Sequence, residues 1–268
     1  MINPIADHSV AIKVTNVDKY FTTNDGMIQV LNGISLEANR GEFVSIIGPS
    51  GCGKTTFLRI LADLEKTSGG EIHINGKSPY DVRLAREFAF VFQSSALLEW
   101  RTAIENVMLP LEMLKVDRGE IRSRAKELMA FVGLEGFEES MPRHLSGGMQ
   151  QRVSIARALT INPGILFMDE PFGALDQITR DRMNLELLRI WKERDLTIVF
   201  VTHSIREAVL LSDRILVMTP RPGRVQGIVT VDLDRPRTLD IRERKAFVEI
   251  VGEGEGMLIE GMNDEHSR

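Results

Sequence analysis

The sequence has little cysteine, few large aromatic side chains and no long apolar run. Its 268 residues include one cysteine, two tryptophans and two tyrosines. Because Cys52 has no second cysteine to pair with, the chain cannot form an intramolecular disulfide and does not need an oxidising compartment. Its most apolar stretches have the length of strands, whereas a membrane-spanning helix needs about 20 apolar residues. We therefore expect another chain to supply any membrane crossing.

An excess of positive charge is also absent. Lysine and arginine number 33 against 38 aspartates and glutamates, which gives a formal net charge of -5. Because no broad basic field is present, nucleic acid is not expected among the partners. The opening residues, MINPIADHSV, have neither the basic segment nor the apolar core of a secretory signal. We expect a protein of the cytoplasm.

Apolar periodicity predicts an α/β fold. Apolar runs predict strands at residues 10–17, 28–36, 42–47, 71–74, 165–168, 197–202 and 214–218. Helical spacing predicts helices at residues 56–64 and 177–194, and a helical insertion at residues 102–160. The resulting prediction is a mostly parallel sheet flanked by helices. After Asp240 a charged amphipathic segment leads into GEGEG and a polar end, so we expect a short helix and a disordered tail over residues 241–268.

The run GPSGCGKT, from Gly48 to Thr55, matches the phosphate-loop pattern GxxxxGKS/T in full and lies between a predicted strand and a predicted helix. Glycines allow backbone N–H groups to turn toward phosphate oxygens, and the following helix adds the positive end of its dipole. The pattern predicts that Lys54 reaches the β and γ phosphates and that the Thr55 hydroxyl holds Mg²⁺. We expect nucleotide contacts from Gly48, Pro49, Ser50, Gly51, Cys52, Gly53, Lys54, Thr55 and Thr56.

Two adjacent carboxylates end another predicted strand, in the run ILFMDE. Because the carboxyl ends of parallel strands face the ligand crevice, Asp169 can lie beside a metal ion and Glu170 beside an attacking water. Two neighbouring carboxylates are costly without a cation or a shared proton, which favours Mg²⁺ nearby. A phosphate loop and this pair do not by themselves choose between kinases, GTPases, helicases and transport ATPases.

Further motifs are VFQSSALLEW with Gln93, LSGGMQQR from Leu145 to Arg152, GALD from Gly173 to Asp176, and FVTHSIREA with His203. In this order, and together with GPSGCGKT, they resemble the nucleotide-binding subunits of ATP-binding cassette (ABC) transporters. The resemblance covers most of the chain. It implies a P-loop NTPase core with a mostly parallel sheet, an N-terminal antiparallel β-subdomain and an inserted α-helical subdomain.

That resemblance places one nucleotide-binding domain at residues 1–240, with the helical subdomain at about residues 100–160. ATP and Mg²⁺ are the implied cofactors. Gln93 would sense the metal and the attacking water, and His203 would contact the γ-phosphate. The implied catalytic residues are Lys54, Gln93, Glu170 and His203. The implied metal ligands are Thr55, Gln93 and Asp169.

In the same family two subunits pair head to tail, and the phosphate loop of one faces the signature LSGGMQQR of the other. Ser146, Gly147 and Gly148 open a predicted helix, whose free N–H groups suit a γ-phosphate. Asp176 lies at the implied dimer seam. The resemblance therefore implies an ATP site that a second copy of the chain completes.

An aromatic side chain in the run NVDKYF is expected to stack on the adenine. Alignment with the family's motif favours Phe21, and Tyr20 is the alternative. Packing in the protein core is a competing explanation for either ring.

The run from Asp169 to Val225 is similar to the nitrate, aliphatic sulfonate and taurine importer branch. The implied partners are integral membrane permease subunits and, indirectly, an extracytoplasmic solute-binding protein. The implied location is the cytoplasmic face of the cell membrane. Leu97, Leu98 and Trp100 follow Gln93 where the permease docks in this family, although packing inside the helical insertion also explains them. An ABC exporter ATPase and a soluble, non-transport ABC ATPase remain the alternatives.

Overall fold

Residues 10–24 and 26–266 are described by a computed structural model, in which helices surround two sheets. The strands are β1 (Val10–Thr23), β2 (Gly26–Asn39), β3 (Phe43–Ile47), β4 (Gly69–Ile74), β5 (Phe88–Val91), β6 (Ile165–Asp169), β7 (Thr197–Val201), β8 (Arg214–Met218) and β9 (Val225–Thr230). The helices are α1 (Lys54–Leu61), α2 (Pro79–Ala85), α3 (Ala103–Met113), α4 (Arg118–Phe131), α5 (Gly147–Leu159), α6 (Gln177–Arg194), α7 (Ile205–Leu211) and α8 (Lys245–His266).

The larger sheet has the strand order β5-β6-β7-β3-β8-β9. All neighbouring pairs are parallel except β8 and β9, which are antiparallel. Every residue of β3, β6 and β7 is buried, as expected for strands covered by other elements on both faces. The prediction of a mostly parallel sheet is confirmed.

The smaller sheet is antiparallel, with the order β2-β1-β4. Its buried residues Val14 and Val17 share one apolar cluster with Phe57 and Leu58 of α1, so this sheet covers the helix that follows the phosphate loop. Both β1 and β2 extend beyond the predicted bounds. Backbone pairing continues to the Thr23–Gly26 turn even though the side chains there are exposed and no longer alternate.

Helices α3, α4 and α5 form a helical unit on a shared apolar core. The side chain of Asn106 in α3 is fully buried and holds the loop that precedes this helix. Its amide nitrogen donates to the carbonyls of Leu98, Arg101 and Thr102 at 3.2, 3.1 and 3.0 Å, and its oxygen accepts the Leu98 N–H at 2.8 Å. The loop after β5 is thereby fixed to the helical unit.

The expectation of a short terminal helix and a disordered tail is wrong for residues 245–266, which form the single helix α8. Three glycines predicted a break, because glycine costs about 1 kcal/mol in a helix interior. Gly254 instead lets α8 pack closely on α7, since a Cβ atom there would lie 2.5 Å from Ile205 Cδ1. Tertiary packing outweighs the local propensity. None of the described helices is long and apolar enough to span a membrane.

Candidate functional site

The predicted site residues follow the carboxyl ends of four adjacent parallel strands. Gln93 comes after β5, and Asp169 ends β6 with Glu170 next to it. His203 comes two residues after β7, and the phosphate loop at residues 48–53 follows β3. Because these strands are neighbours and parallel, their loops meet at one edge of the sheet, where such folds bind ligands.

The phosphate loop reaches α1 through glycines in backbone conformations that other residues rarely adopt. Gly51 and Gly53 have φ values of +76° and +107°, and a Cβ atom on Gly53 would lie 2.7 Å from Leu31 Cδ2. Helix α1 begins at Lys54 without a side-chain cap, so its first N–H groups remain available to an anion. The loop therefore has the geometry of a phosphate cradle.

Lys54 lies inside this loop and is only 6% exposed. Its ammonium group donates hydrogen bonds to the Gly48 and Pro49 carbonyls at 2.8 and 3.0 Å. These contacts hold the positive charge at the centre of the loop, where phosphate oxygens would meet it.

Thr55 and Asp169 bring two oxygen ligands together. The Thr55 hydroxyl donates to Asp169 Oδ1 at 2.9 Å. Burial raises the pKa of the Asp169 carboxyl, the Thr55 hydrogen bond lowers it, and the Glu170 charge raises it again. A carboxylate that burial disfavours in its charged form is suited to a nearby cation.

Glu170 is held on a strained backbone beside His203. Its φ of +43° lies in the left-handed region, although it is not a glycine, and such strain is found at functional sites. The Glu170 N–H donates to the Val201 carbonyl at 3.0 Å, which anchors the strained residue to β7. His203 Nδ1 lies 3.2 Å from Glu170 Oε2. The structure thus pairs the predicted base with the predicted γ-phosphate contact.

A cleft of about 530 Å³ joins most of these groups. Its lining residues are Phe21, Thr23, Ile28, Val30, Ser50, Gly51, Gly53, Lys54, Thr55, Thr56, Gln93, Glu170 and Arg221. Phe21 lies on its wall and Tyr20 does not, because adjacent residues of a strand point to opposite faces. Asp169 lies next to the cleft because it accepts a hydrogen bond from the lining residue Thr55. His203 lies next to the cleft because its ring contacts the lining residue Glu170.

Arg221 was not predicted to belong to the site. It lies on the cleft wall, and its Nη2 is 3.4 Å from the Gly51 carbonyl oxygen of the phosphate loop. The loop that carries it is held against β2 by hydrogen bonds from Gly223 N–H to Val30 O and from Asn32 N–H to Gly223 O, each 2.9 Å. The run PRPGR has turn-forming residues, but no spacing in the sequence connects it to the phosphate loop.

The signature residues Ser146, Gly147 and Gly148 are absent from the cleft lining among the described residues. The Ser146 hydroxyl caps α5 by accepting the Met149 N–H at 3.3 Å. A Cβ on Gly148 would lie 2.7 Å from Thr179 Cγ2, so glycine is required where α5 meets the start of α6. Within one chain, the structure does not bring the signature to the phosphate loop.

Asp176 begins α6 next to this signature. Its carboxylate accepts the Thr179 N–H at 3.0 Å as a helix cap, and the hydrogen bond from Thr179 lowers its pKa. Asp176 is also absent from the described cleft lining. The signature and Asp176 thus lie outside the described cleft lining, although Gly173 at the start of the GALD motif lies beside Glu170 and Gln93.

The loop after Gln93 is tied to the signature helix. Arg157 of α5 donates to the Ser95 and Ala96 carbonyls at 2.8 Å each. Beyond this loop, Trp100 is 74% exposed and borders a groove of about 590 Å³. Leu97 packs on the helical core instead, whereas permease docking at Trp100 stays a prediction.

The comparisons identify the family. The family model described as "ABC transporter" matches residues 31–173, just over half of the chain. An aliphatic sulfonates import ATP-binding protein of Bacillus cereus is 41% identical, over 90% of this chain and 93% of the relative. A taurine import ATP-binding protein of a Jannaschia species is 40% identical, over 92% and 93%. A bicarbonate transport ATP-binding protein of a Synechocystis species is 41% identical, over 85% and 82%.

A solved structure agrees with the sequence relatives. The ATP-binding cassette MJ0796, in a dimeric post-hydrolysis state bound to ADP and Pi, is 37% identical with a TM-score of 0.73. The match covers 83% of this chain and all of the cassette. The predicted family and fold are therefore confirmed: this chain belongs to the ABC transporter family and is an ABC-type ATPase.

Proposed function

We propose that two copies of this chain pair head to tail and hydrolyse ATP to drive a membrane importer for a small solute with an oxyanion group, such as nitrate, a sulfonate or taurine. One observation carries the proposal: the cleft of a single chain has the phosphate loop, Gln93 and Glu170, whereas the signature lies on a separate surface. A second copy, turned head to tail, supplies the missing side. The likeness to a cassette described as dimeric supports this arrangement.

ATP fits the cleft from end to end. Its phosphates would bind the N–H groups around Gly51 and Gly53 and the Lys54 ammonium. Its adenine would stack on Phe21 at the other wall, beside the apolar side chains of Ile28 and Val30. The N-terminus of α5 in the second copy would contact the γ-phosphate from the opposite side, through Ser146, Gly147 and Gly148.

Mg²⁺ fits the Thr55 and Asp169 pair. Their oxygens are 2.9 Å apart, and burial makes a cation favourable beside the Asp169 carboxylate. No cluster of three or more His, Cys, Asp or Glu among the described residues could hold a metal alone, which agrees with an ion that phosphate oxygens and waters also bind. Gln93 lies on the same cleft and is the further proposed ligand. The ion would neutralise phosphate charge during the reaction.

Hydrolysis follows from the positions of Glu170 and His203. Glu170 accepts a proton from a water whose oxygen forms the new bond to the γ-phosphorus, while the bond to the bridging oxygen of ADP breaks. His203 Nδ1, 3.2 Å from Glu170 Oε2, orients that carboxylate and lies close to the developing charge. Lys54 and the signature helix of the second copy stabilise the same charge.

Coupling to transport would use the loop after Gln93. The groove beside the exposed Trp100 suits a short helix of a permease subunit. Movement there would reach the signature helix through Arg157. The names of three relatives, which refer to import of aliphatic sulfonates, import of taurine and transport of bicarbonate, support a small solute with an oxyanion group. The pair would then work at the cytoplasmic face of the membrane and receive solute through a binding protein on the other side.

Replacement of the base tests the catalytic part of the proposal. Glu170→Gln should keep ATP binding but lower turnover by at least about 100-fold, since general-base catalysis contributes at least that much. Because ATP then stays in place, gel filtration with ATP should show a dimer. Glu253→Gln, which changes an exposed carboxylate of α8, is the matched control. Turnover near that of the control would refute the role of Glu170.

The transport part needs the whole complex. Membrane vesicles with the co-purified permease and binding protein should take up labelled sulfonate, taurine or bicarbonate when ATP is on the side of this chain. The Glu170→Gln complex should not do so. ATP-driven efflux by the wild-type complex would instead identify an exporter.

A further inference from the structure

A second polar cavity, of about 280 Å³, lies between α6, α7 and the 3₁₀ turn Leu239–Glu243. None of its lining residues lines the nucleotide cleft. Its volume is close to the lower limit of about 300 Å³ for small-molecule pockets and much larger than the space of one water. The nucleotide chemistry described above leaves this cavity without a role.

Buried groups on its lining have no hydrogen-bond partner. Asn184 is fully buried, and neither its amide nitrogen nor its oxygen has a partner in hydrogen-bond geometry, although its side chain lies close enough to Glu207 to lower the pKa of that carboxyl. Glu207 is 6% exposed and its Oε1 is unpaired, as is the buried Nε of Arg242. An unpaired buried polar group costs about 1–3 kcal/mol. Several such groups around one cavity indicate a polar ligand that pairs with them.

The charges on the lining favour an anion. Arg180, Arg206 and Arg242 contribute three guanidinium groups, of which Arg242 is neutralised by Asp181 at 2.7 and 2.8 Å. Arg206 is exposed and makes no hydrogen bond or salt bridge with the part of the chain that the structure describes. Burial raises the pKa of Glu207, and even as a carboxylate it is outnumbered by the Arg180 and Arg206 guanidinium groups. The lining therefore has a net positive charge and several donors.

We propose that this cavity binds a small oxyanion of the sulfate or bicarbonate class. The exposed Arg206 and the Ser204 hydroxyl would receive the anion at the mouth, and the Asn184 amide would donate to it at the buried end. The proposal does not depend on the importer function, because it follows from the unpaired groups and the charge of the cavity alone.

Two loops of the ATP site are fastened to the same lining. Arg180 donates to the carbonyls of Phe172, Gly173 and Leu175 at 3.3, 3.4 and 2.9 Å, and thereby holds the GALD loop. Glu207 accepts the Thr202 hydroxyl at 2.5 Å, next to His203. An anion bound here would contact Arg180 and Glu207, the residues that hold these two loops in place. Any coupling between anion and nucleotide would be reciprocal.

The test is thermal unfolding of the full chain in millimolar sulfate or chloride at equal ionic strength. ADP and magnesium are present at saturation, because sulfate would otherwise bind the phosphate loop. The apparent Kd follows from the rise in Tm with sulfate concentration. Arg206→Ala and Asn184→Leu remove the proposed contacts at each end. Arg182→Ala, an exposed arginine of α6 outside the lining, is the control.

Sulfate should raise the Tm of the wild type and of Arg182→Ala in a saturable way. Each cavity variant should bind about tenfold more weakly, as expected for the loss of one hydrogen bond to a charged group. Sulfate also stabilises folded proteins in general, and this effect is equal in all variants. Binding in the cavity is therefore measured by the difference between the wild type and each cavity variant in the sulfate-dependent rise in Tm. The proposal would be overturned if sulfate raised the Tm of the wild type and of both cavity variants equally, or if the rise were not saturable. Either result would show a cavity that holds water only.

Discussion

At the residue scale, Asp169 and Glu170 place two carboxylates side by side at the end of β6, one buried and one on a positive-φ backbone. Neither condition favours the folded protein by itself. Burial raises the pKa of the Asp169 carboxyl, and a left-handed conformation outside glycine costs on the order of 1–3 kcal/mol. In the proposed function these costs are offset, because Asp169 would hold a metal ion and Glu170 a reacting water.

The buried charge of Asp169 leads to a stability prediction. Because its folded pKa is raised, the folded protein binds more protons than the unfolded chain, and stability falls as pH rises through the range between the two pKa values. Asp169→Asn should therefore raise the Tm at pH 7 in EDTA, by roughly 2–4 °C for each kcal/mol relieved. The gain should shrink as the pH is lowered toward the ordinary value of 3.8.

Calorimetry from pH 4 to pH 8 makes this measurement, with Asp234→Asn as the control, since Asp234 is exposed. Magnesium with ATP should stabilise the wild type more than Asp169→Asn. If Asp169→Asn had a lower Tm than the wild type in EDTA at pH 7, the Asp169 carboxylate would not destabilise the metal-free protein, and the prediction would be contradicted.

Arg221 provides a second prediction at this scale. Arg221→Ala should weaken ATP binding by up to about fivefold, because exposed ion pairs contribute at most about 1 kcal/mol. Arg221→Lys should recover part of the loss by restoring the positive charge. Titration with a fluorescent ATP analogue measures the affinities. An unchanged affinity in Arg221→Ala would show that this side chain borders the cleft without contacting nucleotide.

Some site residues can be predicted from the sequence and others cannot, for a physical reason. Lys54, Thr55, Asp169 and Glu170 belong to short contiguous motifs, so local chemistry identifies them. Arg221 reaches the cleft only through the packing of a distant loop on β2. The choice of Phe21 over Tyr20 at the cleft wall depends on strand register, and the adenine contact itself remains a prediction.

At the element scale, strongly periodic segments are predictable and segments fixed by tertiary contacts are not. The predicted bounds of α6 and β8 agree with the structure because their apolar patterns are bounded by turn residues. The short elements α2, β5 and β9 have four to seven residues each, too few for a clear period. The length of helix α8 was underestimated because Gly254 is accommodated by packing on α7 and not by helix propensity.

The glycines of α8 provide a matched pair for a prediction. Gly254→Val should lower the free energy of unfolding by about 1–3 kcal/mol, because its side chain would overlap Ile205. Gly252 is exposed, and a Cβ atom added to it would have no neighbour within 4 Å, so Gly252→Val should change stability by less than about 0.5 kcal/mol. Urea unfolding measures both. Equal effects would mean that α8 does not pack on α7 as described.

At the scale of the whole molecule, the proposed dimer gives each chain one half of each of two ATP sites. The cleft contains the phosphate loop and Glu170, whereas Ser146, Gly147, Gly148 and Asp176 are absent from its described lining. The family, fold and ATPase activity could be predicted because the motifs are specific. The solute could not, because these motifs carry nucleotide chemistry and give no information about a solute.

The most direct test of the shared site is complementation between two inactive variants. Lys54→Ala removes the phosphate contact, and Ser146→Arg blocks the signature. Each variant alone should be inactive, whereas a mixed dimer keeps one intact site. Random pairing makes about half of the dimers mixed, so the mixture should recover up to about a quarter of wild-type turnover. The double variant Lys54→Ala, Ser146→Arg, which keeps no intact site in any pairing, is the control. Turnover of the mixture no higher than that of the double variant would contradict the claim that a second copy completes the site.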